Sequence, residues 1–141
     1  MSSIRSLFAK IFAAIIARRV NNWASNPIDT QDRVFKKLIK SAIDTKFGTD
    51  HSFKSINNHS DYISRVPIRD YEGLKPYIEK VIDGESDVLW NGKPSYFAKT
   101  SGTTSGSKYI PITDVSIKYQ VEASRNAALM YINETGNSDF V

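Results

Sequence analysis

Residues 96–113 read YFAKTSGTTSGSKYIPIT, and this stretch sets the fold expected for the chain. An apolar run able to form a strand leads into hydroxylated residues, glycines and a lysine, after which the chain turns apolar again. Glycine lets the backbone approach a ligand closely and adopt positive φ angles, so that successive N–H groups converge on an anion. The Ser and Thr hydroxyls and the Lys108 ammonium add donors at the same point. The pattern predicts a phosphate loop that suits a polyphosphate.

The spacing of this loop excludes two common nucleotide-binding motifs. A Walker A loop has the pattern G-x-x-x-x-G-K-[ST], whereas three residues separate Gly102 from Gly106 here and Ser107 precedes Lys108. A G-x-G-x-x-G dinucleotide fingerprint does not occur in the sequence. The alternative is a solvated Ser/Gly/Thr loop that joins two strands for conformational reasons alone. The ordered succession of residues and the closing lysine favour the phosphate loop.

At these residues the chain resembles the phosphate-binding motif of acyl-adenylate-forming enzymes, roughly Thr/Ser-Ser-Gly-Thr-Thr/Ser-x-Gly-x-Lys. It resembles the GH3 family of acyl-acid amido synthetases more closely, a family first known from auxin-responsive plant proteins and also found in bacteria. The segments that match in the family's order are Phe53-Lys54-Ser55, Val66 to Ile78, Gly84, Gly92-Lys93-Pro94 and Tyr109 to Thr113. The resemblance runs from about Asn26 onward. Since family members are several times longer, we expect this chain to be an N-terminal fragment.

The resemblance implies an enzyme that uses ATP and Mg²⁺ to adenylate a small carboxylic acid and then passes the acyl group to an amine such as an amino acid. By resemblance, the residues that bind ATP are Thr100, Ser101, Gly102, Thr103, Thr104, Ser105, Gly106 and Lys108. Arg125, on the following helix, is a candidate to meet the acyl carboxylate. We assign no catalytic residue, because a carboxylate is already a nucleophile. We expect the remainder of the parent protein to complete the site, and this chain alone to be inactive.

Composition narrows the other classes of function. The chain has 141 residues, a net charge of +4 and a pI near 9.3, and its Lys and Arg residues are scattered among Asp and Glu, which disfavours a dedicated nucleic-acid face. It has no cysteine and two histidines, too few for a convincing metal site. A cytoplasmic location fits this composition. Two alternatives remain, a non-catalytic binding or interaction fragment and a small nucleic-acid-binding protein.

The segment 1–25 is predicted to form an amphipathic helix. Its uninterrupted apolar core, Ile11 to Ala17, is seven residues long, far short of the roughly 20 needed to span a bilayer. Two arginines follow where a signal peptide would carry its cleavage site. We expect no stable membrane insertion, and docking onto the rest of the protein through apolar residues at helical spacing: Leu7, Phe8, Ile11, Phe12, Ile15 and Ile16.

The segment 26–86 is predicted to be helical. Asn26-Pro27 marks a break, and Thr30 is the expected N-cap of a helix over 31–47 that ends at Gly48 as its C-cap. Ser60 is expected to cap a short helix that ends near Arg65, and Asp70 to cap a turn over 71–75. Pro76 is expected to open a separate helix over 77–82, with Gly84 ending it. The expected buried face of the first helix is Val34, Phe35, Leu38, Ala42, Ile43 and Phe47.

Polar residues in this region receive no chemical role. His51 and His59 are expected at the surface. The acid pairs Glu79 with Glu85 and Asp83 with Asp87 are expected to be solvated.

The segment 87–113 is predicted to contain the strands and the loop, and 114–135 a helix. Strands are expected at 87–90, 95–99 and 109–112, with a tight turn at Asn91-Gly92. The last helix is expected to run to about Glu134 and to end at Gly136, with Val115, Tyr119, Ala123 and Met130 on its buried side. The fold class is α/β in the mixed α+β sense, with residues 1–141 forming a single partial domain.

Overall fold

The computed structural model describes residues 2–100 and 106–139. Within these residues the chain is mostly helical, with one antiparallel hairpin, which confirms the mixed α+β class. The elements are α1 (Ser2–Ala24), α2 (Pro27–Ala42), α3 (Lys46–Asp50), a 3-10 turn (Phe53–Ser55), α4 (His59–Arg65), α5 (Tyr71–Ile82), β1 (Tyr96–Thr100), β2 (Lys108–Ile112) and α6 (Asp114–Thr135). None of the described helices combines the length and the apolar character needed to cross a membrane.

The chain divides into two compact units. The helix-pair unit contains residues up to Thr30 together with residues from Val115 onward, and the hairpin unit contains Gln31–Asp114. Each has its own group of buried apolar side chains. The hairpin unit carries the strands on either side of the predicted phosphate loop.

In the helix-pair unit, α1 and α6 pack through a narrow core of Ala13, Ile16, Leu129 and Ile132. The predicted apolar face of α1 is largely wrong, because Ile16 is 3% exposed whereas the other five predicted residues are 43–67% exposed. The helix is apolar on two opposite faces, and the face with the small residues is the one that packs. Ala13, Ile16 and Ala17 are buried on this face, while larger side chains such as Phe8 and Leu7 are mostly exposed.

The last helix begins and ends close to the predicted residues. Gly136 has a φ of 69° and its N–H donates to Ile132 O at 2.9 Å, which terminates α6 as expected. The predicted buried side is wrong for Val115 and Tyr119, which are 42% and 50% exposed, and for Ala123, which is also exposed. Leu129 and Ile132 are buried instead.

In the hairpin unit, the core consists of Ile39, Ala42, Phe53 and Ile56, with aromatic rings packed around them. The helix predicted over 31–47 begins earlier, at Pro27, because proline suits the first turn of a helix. It also ends earlier, at Ala42. Of its predicted buried face, Val34 and Leu38 are about half exposed, at 51% and 49%.

The residues that follow α2 form a separate short helix, so Gly48 is not a C-cap but lies within α3. Thr45 caps this helix: its hydroxyl donates to Ala42 O at 2.8 Å and accepts from Gly48 N–H at 3.0 Å. A Cβ at position 48 would lie 1.9 Å from Ala42 O. The chain turns this tightly only because residue 48 has no side chain.

The strand predicted at 87–90 is wrong, since these residues form bends. Their carbonyls accept hydrogen bonds from the first residues of α3 instead. Lys46 N–H donates to Asp87 O at 2.7 Å, and Phe47 N–H donates to Val88 O at 2.9 Å. Asp87 takes a left-handed φ of 57°. Its carboxylate accepts from Gly92 N–H at 2.7 Å, and this bond, followed by one from Ser86, lowers the pKa of Asp87. The segment caps a helix rather than extending a sheet.

The helices that precede the hairpin differ from prediction in their boundaries. Asn58, not Ser60, caps α4, since its side chain accepts from Asp61 N–H at 2.9 Å. Asp70 caps α5 as predicted, accepting from Gly73 N–H at 2.9 Å. However, α5 continues through Pro76 as one helix. Proline removes one backbone hydrogen bond, whereas the burial of Ile78 and Val81 on one face keeps the helix continuous.

His51 is 6% exposed, so its predicted surface position is wrong. Its ring stacks on Phe47 at 4.1 Å, and its Nδ1 lies 2.7 Å from Phe47 O. His59 is exposed, as predicted, and meets Phe35 edge-on at 6.4 Å. Among the described residues, no three His, Cys, Asp or Glu side chains are placed to hold a metal ion.

Candidate phosphate-binding site

The predicted phosphate loop connects the two strands of the hairpin. In the antiparallel register, Thr100 lies opposite Lys108 and Tyr96 lies opposite Ile112. The strands at 96–100 and 108–112 confirm the two that were predicted beside the loop. The loop therefore begins and ends at the same end of the two paired strands.

Five of the predicted ATP-binding residues lie outside the described residues. They are Ser101, Gly102, Thr103, Thr104 and Ser105. Their role stays a prediction. The described geometry of the candidate site is that of the residues on both sides of them. Thr100, Gly106 and Lys108 are described.

Gly106 begins the described return of the chain. Its φ of 78° lies in the left-handed region, and a Cβ added to it would meet no atom within 4 Å. Backbone conformation, rather than space, therefore requires glycine here. A left-handed residue beside extended ones is one way in which a backbone turns its N–H groups toward an anion.

Two lysines lie on opposite faces of the hairpin, at the end where the loop begins and returns. Side chains alternate between the faces of a strand and paired residues share a face, so Lys108 shares a face with Thr100 and Lys99 shares one with Tyr109. Lys99 Nζ lies 5.8 Å from the centroid of the Tyr109 ring. Lys99 was not among the predicted ATP-binding residues, although a second cation directly before Thr100 was a usable signal. The described strands place one lysine on each face of the hairpin at this end.

Tyr71, at the start of α5, contacts the residues where the loop returns. Its Oη accepts from Tyr109 N–H at 2.9 Å, and Lys108 Nζ lies 5.4 Å from the centroid of its ring. Tyr71 is half-buried. The sequence alone placed Tyr71 only in a predicted helical turn, because its contact with Tyr109 joins residues that are 38 positions apart in the chain.

The far end of the hairpin is also fixed. Ser95 Oγ donates to Asp114 Oδ1 at 2.5 Å, and Ser95 N–H donates to Ile112 O at 3.0 Å. These bonds join the start of β1 to the end of β2 and the first residue of α6. The hairpin is thus held at both ends by side chains from outside the ladder.

Arg125, the candidate for the acyl carboxylate, has partners within its own unit. Its Nη2 lies 3.6 Å from Glu122 Oε1 and 3.2 Å from Asn126 Oδ1, and the guanidinium lies 5.9 Å from the centroid of the Phe12 ring. These are exposed contacts that a ligand carboxylate could replace at little cost. Its assignment stays a prediction.

Comparison with known proteins identifies the family. The GH3 family N-terminal domain matches residues 16–139. The chain belongs to the GH3 family. This match includes α2 to α6, the hairpin and the loop.

Curated GH3 proteins of plants are distant relatives. A putative indole-3-acetic acid-amido synthetase, GH3.10 of Oryza sativa subsp. japonica, is 26% identical over 94% of this chain and 30% of its own length. The jasmonoyl-L-amino acid synthetase JAR6 of Nicotiana attenuata is 28% identical over 58% of this chain and 15% of its own. The indole-3-acetic acid-amido synthetase GH3.10 of Arabidopsis thaliana is 36% identical over 48% of this chain and 12% of its own. This chain therefore spans less than a third of the length of each.

Proposed function

We propose that this chain supplies the phosphate-holding part of an ATP-dependent acyl-acid amido synthetase. The observation that carries the proposal is the hairpin of a GH3 N-terminal domain, which brings Thr100 and Lys108 together at the two ends of a Ser/Gly/Thr loop. The relatives are named for joining carboxylic acids to amino acids. The substrates proposed for the parent enzyme are accordingly a small carboxylic acid and an amine acceptor.

In the proposed reaction, a carboxylate oxygen attacks the α-phosphorus of ATP, and the bond to the departing pyrophosphate breaks. An amine nitrogen then attacks the acyl carbon of the acyl-adenylate, and AMP leaves as the amide forms. Negative charge accumulates on pyrophosphate in the first step. Donors positioned around the β- and γ-phosphates lower the barrier by stabilising that charge.

The described residues fit this role chemically. Lys99 and Lys108 provide charge, Gly106 provides a left-handed backbone turn, and Thr100 provides a hydroxyl on the same face as Lys108. Mg²⁺ commonly enters such sites on the phosphates of the nucleotide, with few protein ligands. We propose that the loop hydroxyls and the phosphates hold Mg²⁺ here.

Calorimetric titration of the 141-residue chain with Mg²⁺–ATP tests the proposal. Lys108→Ala removes a charge-assisted contact and is expected to weaken binding about tenfold or more. Gly102→Val is expected to weaken it at least as much, because the proposed loop needs the close backbone approach to a phosphate that glycine allows. Lys40→Ala, which removes an exposed lysine from α2, is the control and should leave the affinity within about twofold, as expected for a distant exposed charge.

Comparing the binding of ATP and AMP shows which part of the nucleotide Lys108 contacts. If the loop holds the outer phosphates, Lys108→Ala weakens ATP and leaves AMP unaffected. Absence of Mg²⁺–ATP binding in a folded sample would contradict the proposal for this chain and favour a fragment that binds other partners. Equal loss from Lys40→Ala and Lys108→Ala would show non-specific attraction to a basic protein.

A further inference from the structure

We infer that Tyr71 is a positioning residue for the phosphate loop, holding both the backbone at the loop exit and the Lys108 ammonium. The inference rests on the proposed function in so far as it concerns nucleotide affinity. The contacts themselves lie within the hairpin unit.

The first contact fixes the backbone. In an antiparallel pair, alternate N–H groups of each strand point away from the partner strand. The N–H of Tyr109 donates to Tyr71 Oη at 2.9 Å instead of to β1. Tyr71 therefore ties β2 to α5 at the second residue of the strand, next to the point where the loop ends.

The second contact fixes the charge. Lys108 Nζ lies 5.4 Å from the centroid of the Tyr71 ring, within the range at which an ammonium is attracted to the negative face of an aromatic ring. A free lysine side chain samples many rotamers, and restricting it before the ligand arrives reduces the entropy lost on binding. The ring is thereby expected to hold the ammonium ready for a phosphate.

Tyr71 is itself held in place. It is the first residue of α5, directly after the N-cap Asp70, whose side chain accepts from Gly73 N–H at 2.9 Å. Ile78 and Val81 of the same helix are buried. Tyr71 therefore lies at the capped end of a helix that is fixed by its own buried residues. Its two contacts can hold the end of the loop in place because its own position does not depend on the loop.

The chain offers a closely matched control in Tyr77. It lies on the same helix, is half-buried like Tyr71, and has one hydroxyl bond of 2.9 Å, donated to Asp50. Its ring also lies near a cation, with Arg69 Cζ 6.0 Å from the centroid. Its hydrogen bond and ring contacts within the described residues are with Asp50, Phe47, His51 and Arg69, none of which lies in either strand. Tyr77→Phe therefore imposes the same chemical change away from the loop.

The experiment compares Tyr71→Phe, Tyr71→Leu and Tyr77→Phe in the 141-residue chain. Tyr71→Phe keeps the ring and removes the acceptor, so the Tyr109 amide should exchange with solvent faster while the Lys108 side-chain protons keep their ring-current shift. Tyr71→Leu should abolish that shift as well. Tyr77→Phe should change neither signal. These nuclear magnetic resonance readouts need no nucleotide.

Affinity for Mg²⁺–ATP is measured on the same samples. Tyr71→Phe is expected to weaken binding about twofold to fivefold and Tyr71→Leu further, while Tyr77→Phe leaves it within about twofold. In a Lys108→Met background, the additional loss from Phe to Leu at position 71 should disappear, since the ring acts through Lys108.

The two proposals fail in different ways. Wild-type protein that binds no Mg²⁺–ATP but shows both Tyr71-dependent signals would overturn the proposed function and keep the positioning contacts. Protein that binds Mg²⁺–ATP equally well with Tyr71→Leu and Tyr77→Phe would overturn the positioning role and keep the proposed function. Loss of the two signals in Tyr77→Phe would show that both tyrosines act only through the stability of α5.

Discussion

The two units of this chain bury apolar surface in different ways. In the hairpin unit, Phe53 lies 5.9 Å from the Phe47 ring and 6.3 Å from the Tyr62 ring, and is 6% exposed. In the helix-pair unit, contact runs through small and aliphatic residues such as Ala13, while Phe8 is 67% exposed. Aromatic side chains each bury a large area. The core of the hairpin unit is therefore the one rich in aromatic rings, and this unit contains the strands on both sides of the loop.

The strongest test of this difference is a pair of phenylalanine truncations. Phe53→Ala removes a buried ring and should lower the free energy of unfolding by about 3–5 kcal/mol. Phe8→Ala removes an exposed ring of the helix-pair unit and should change it by no more than about 0.5–1 kcal/mol. Urea denaturation followed by circular dichroism measures both. Similar costs for the two would show that Phe8 is buried in solution.

A second pair of substitutions compares a buried and an exposed residue of the same helix. Ile16 and Ile15 are neighbours on α1 with 3% and 46% exposure. Ile16→Ala should cost about 2–4 kcal/mol, because a cavity forms between α1 and α6. Ile15→Ala should cost less than about 1 kcal/mol. Thermal and urea denaturation give both values. A larger loss from Ile15→Ala would reverse the assignment of the packed face.

Loss of the Thr45 cap in the hairpin unit is expected to change the free energy of unfolding less than these core truncations do. Thr45 is fully buried, and its hydroxyl donates one hydrogen bond and accepts another. Thr45→Val keeps the shape and loses both bonds, so the unfolding free energy should fall by about 1–2 kcal/mol. Thr45→Ser retains the hydroxyl and should recover most of that loss. If serine were no better than valine, packing of the methyl group would be the contribution that matters.

The smallest expected effect is electrostatic and depends on pH. The hydrogen bond from Lys46, and after it the one from Tyr77, lowers the pKa of Asp50. The hydrogen bond to Asp50 in turn raises the pKa of Lys46. The carboxylate therefore contributes stability above its unfolded pKa of about 4, which is lost as the pH falls through the folded value. The ammonium contributes below about pH 10.4, and this is lost as the pH rises through its raised folded value.

Asp50→Asn is expected to lower the urea midpoint slightly at pH 7, and this difference should shrink as the pH falls through the lowered pKa of Asp50. Added salt should reduce the difference at pH 7, since the pair is exposed. Asp32→Asn removes the exposed partner of Lys36 on α2, 2.8 Å away, and serves as the control. A difference between Asp50→Asn and wild type that did not shrink on acidification would assign the effect to packing rather than charge.

Local signals in the sequence predicted the elements around the site, and long-range contacts explain what they missed. The strands beside the loop, the Asp70 cap and the Gly136 terminus follow from alternation, capping and turn chemistry within a few residues. The segment at 87–90 has the composition of a strand, but its carbonyls accept from residues 46 and 47. That contact spans less than a third of the chain, but far more than one turn or cap, and has no local signature.

Periodicity likewise could not choose between two apolar faces of α1. Large residues such as Phe8 and Ile11 suggested the buried face, whereas the packed face contains Ala13 and Ala17. Tyr71 was missed for the same reason as the bend at 87–90, since its two contacts with β2 exist only after folding.

Gly48 has a consequence for how far this sequence can vary. The space where its Cβ would lie is already occupied by the Ala42 carbonyl, 1.9 Å away. Helical glycines are usually improved by alanine, but no rotamer can relieve a clash that involves Cβ and backbone. In a saturation library at this codon selected for folded protein, glycine alone should survive, and a change there would disturb α3 and, with it, the bends at 87–90 that its N-terminus holds.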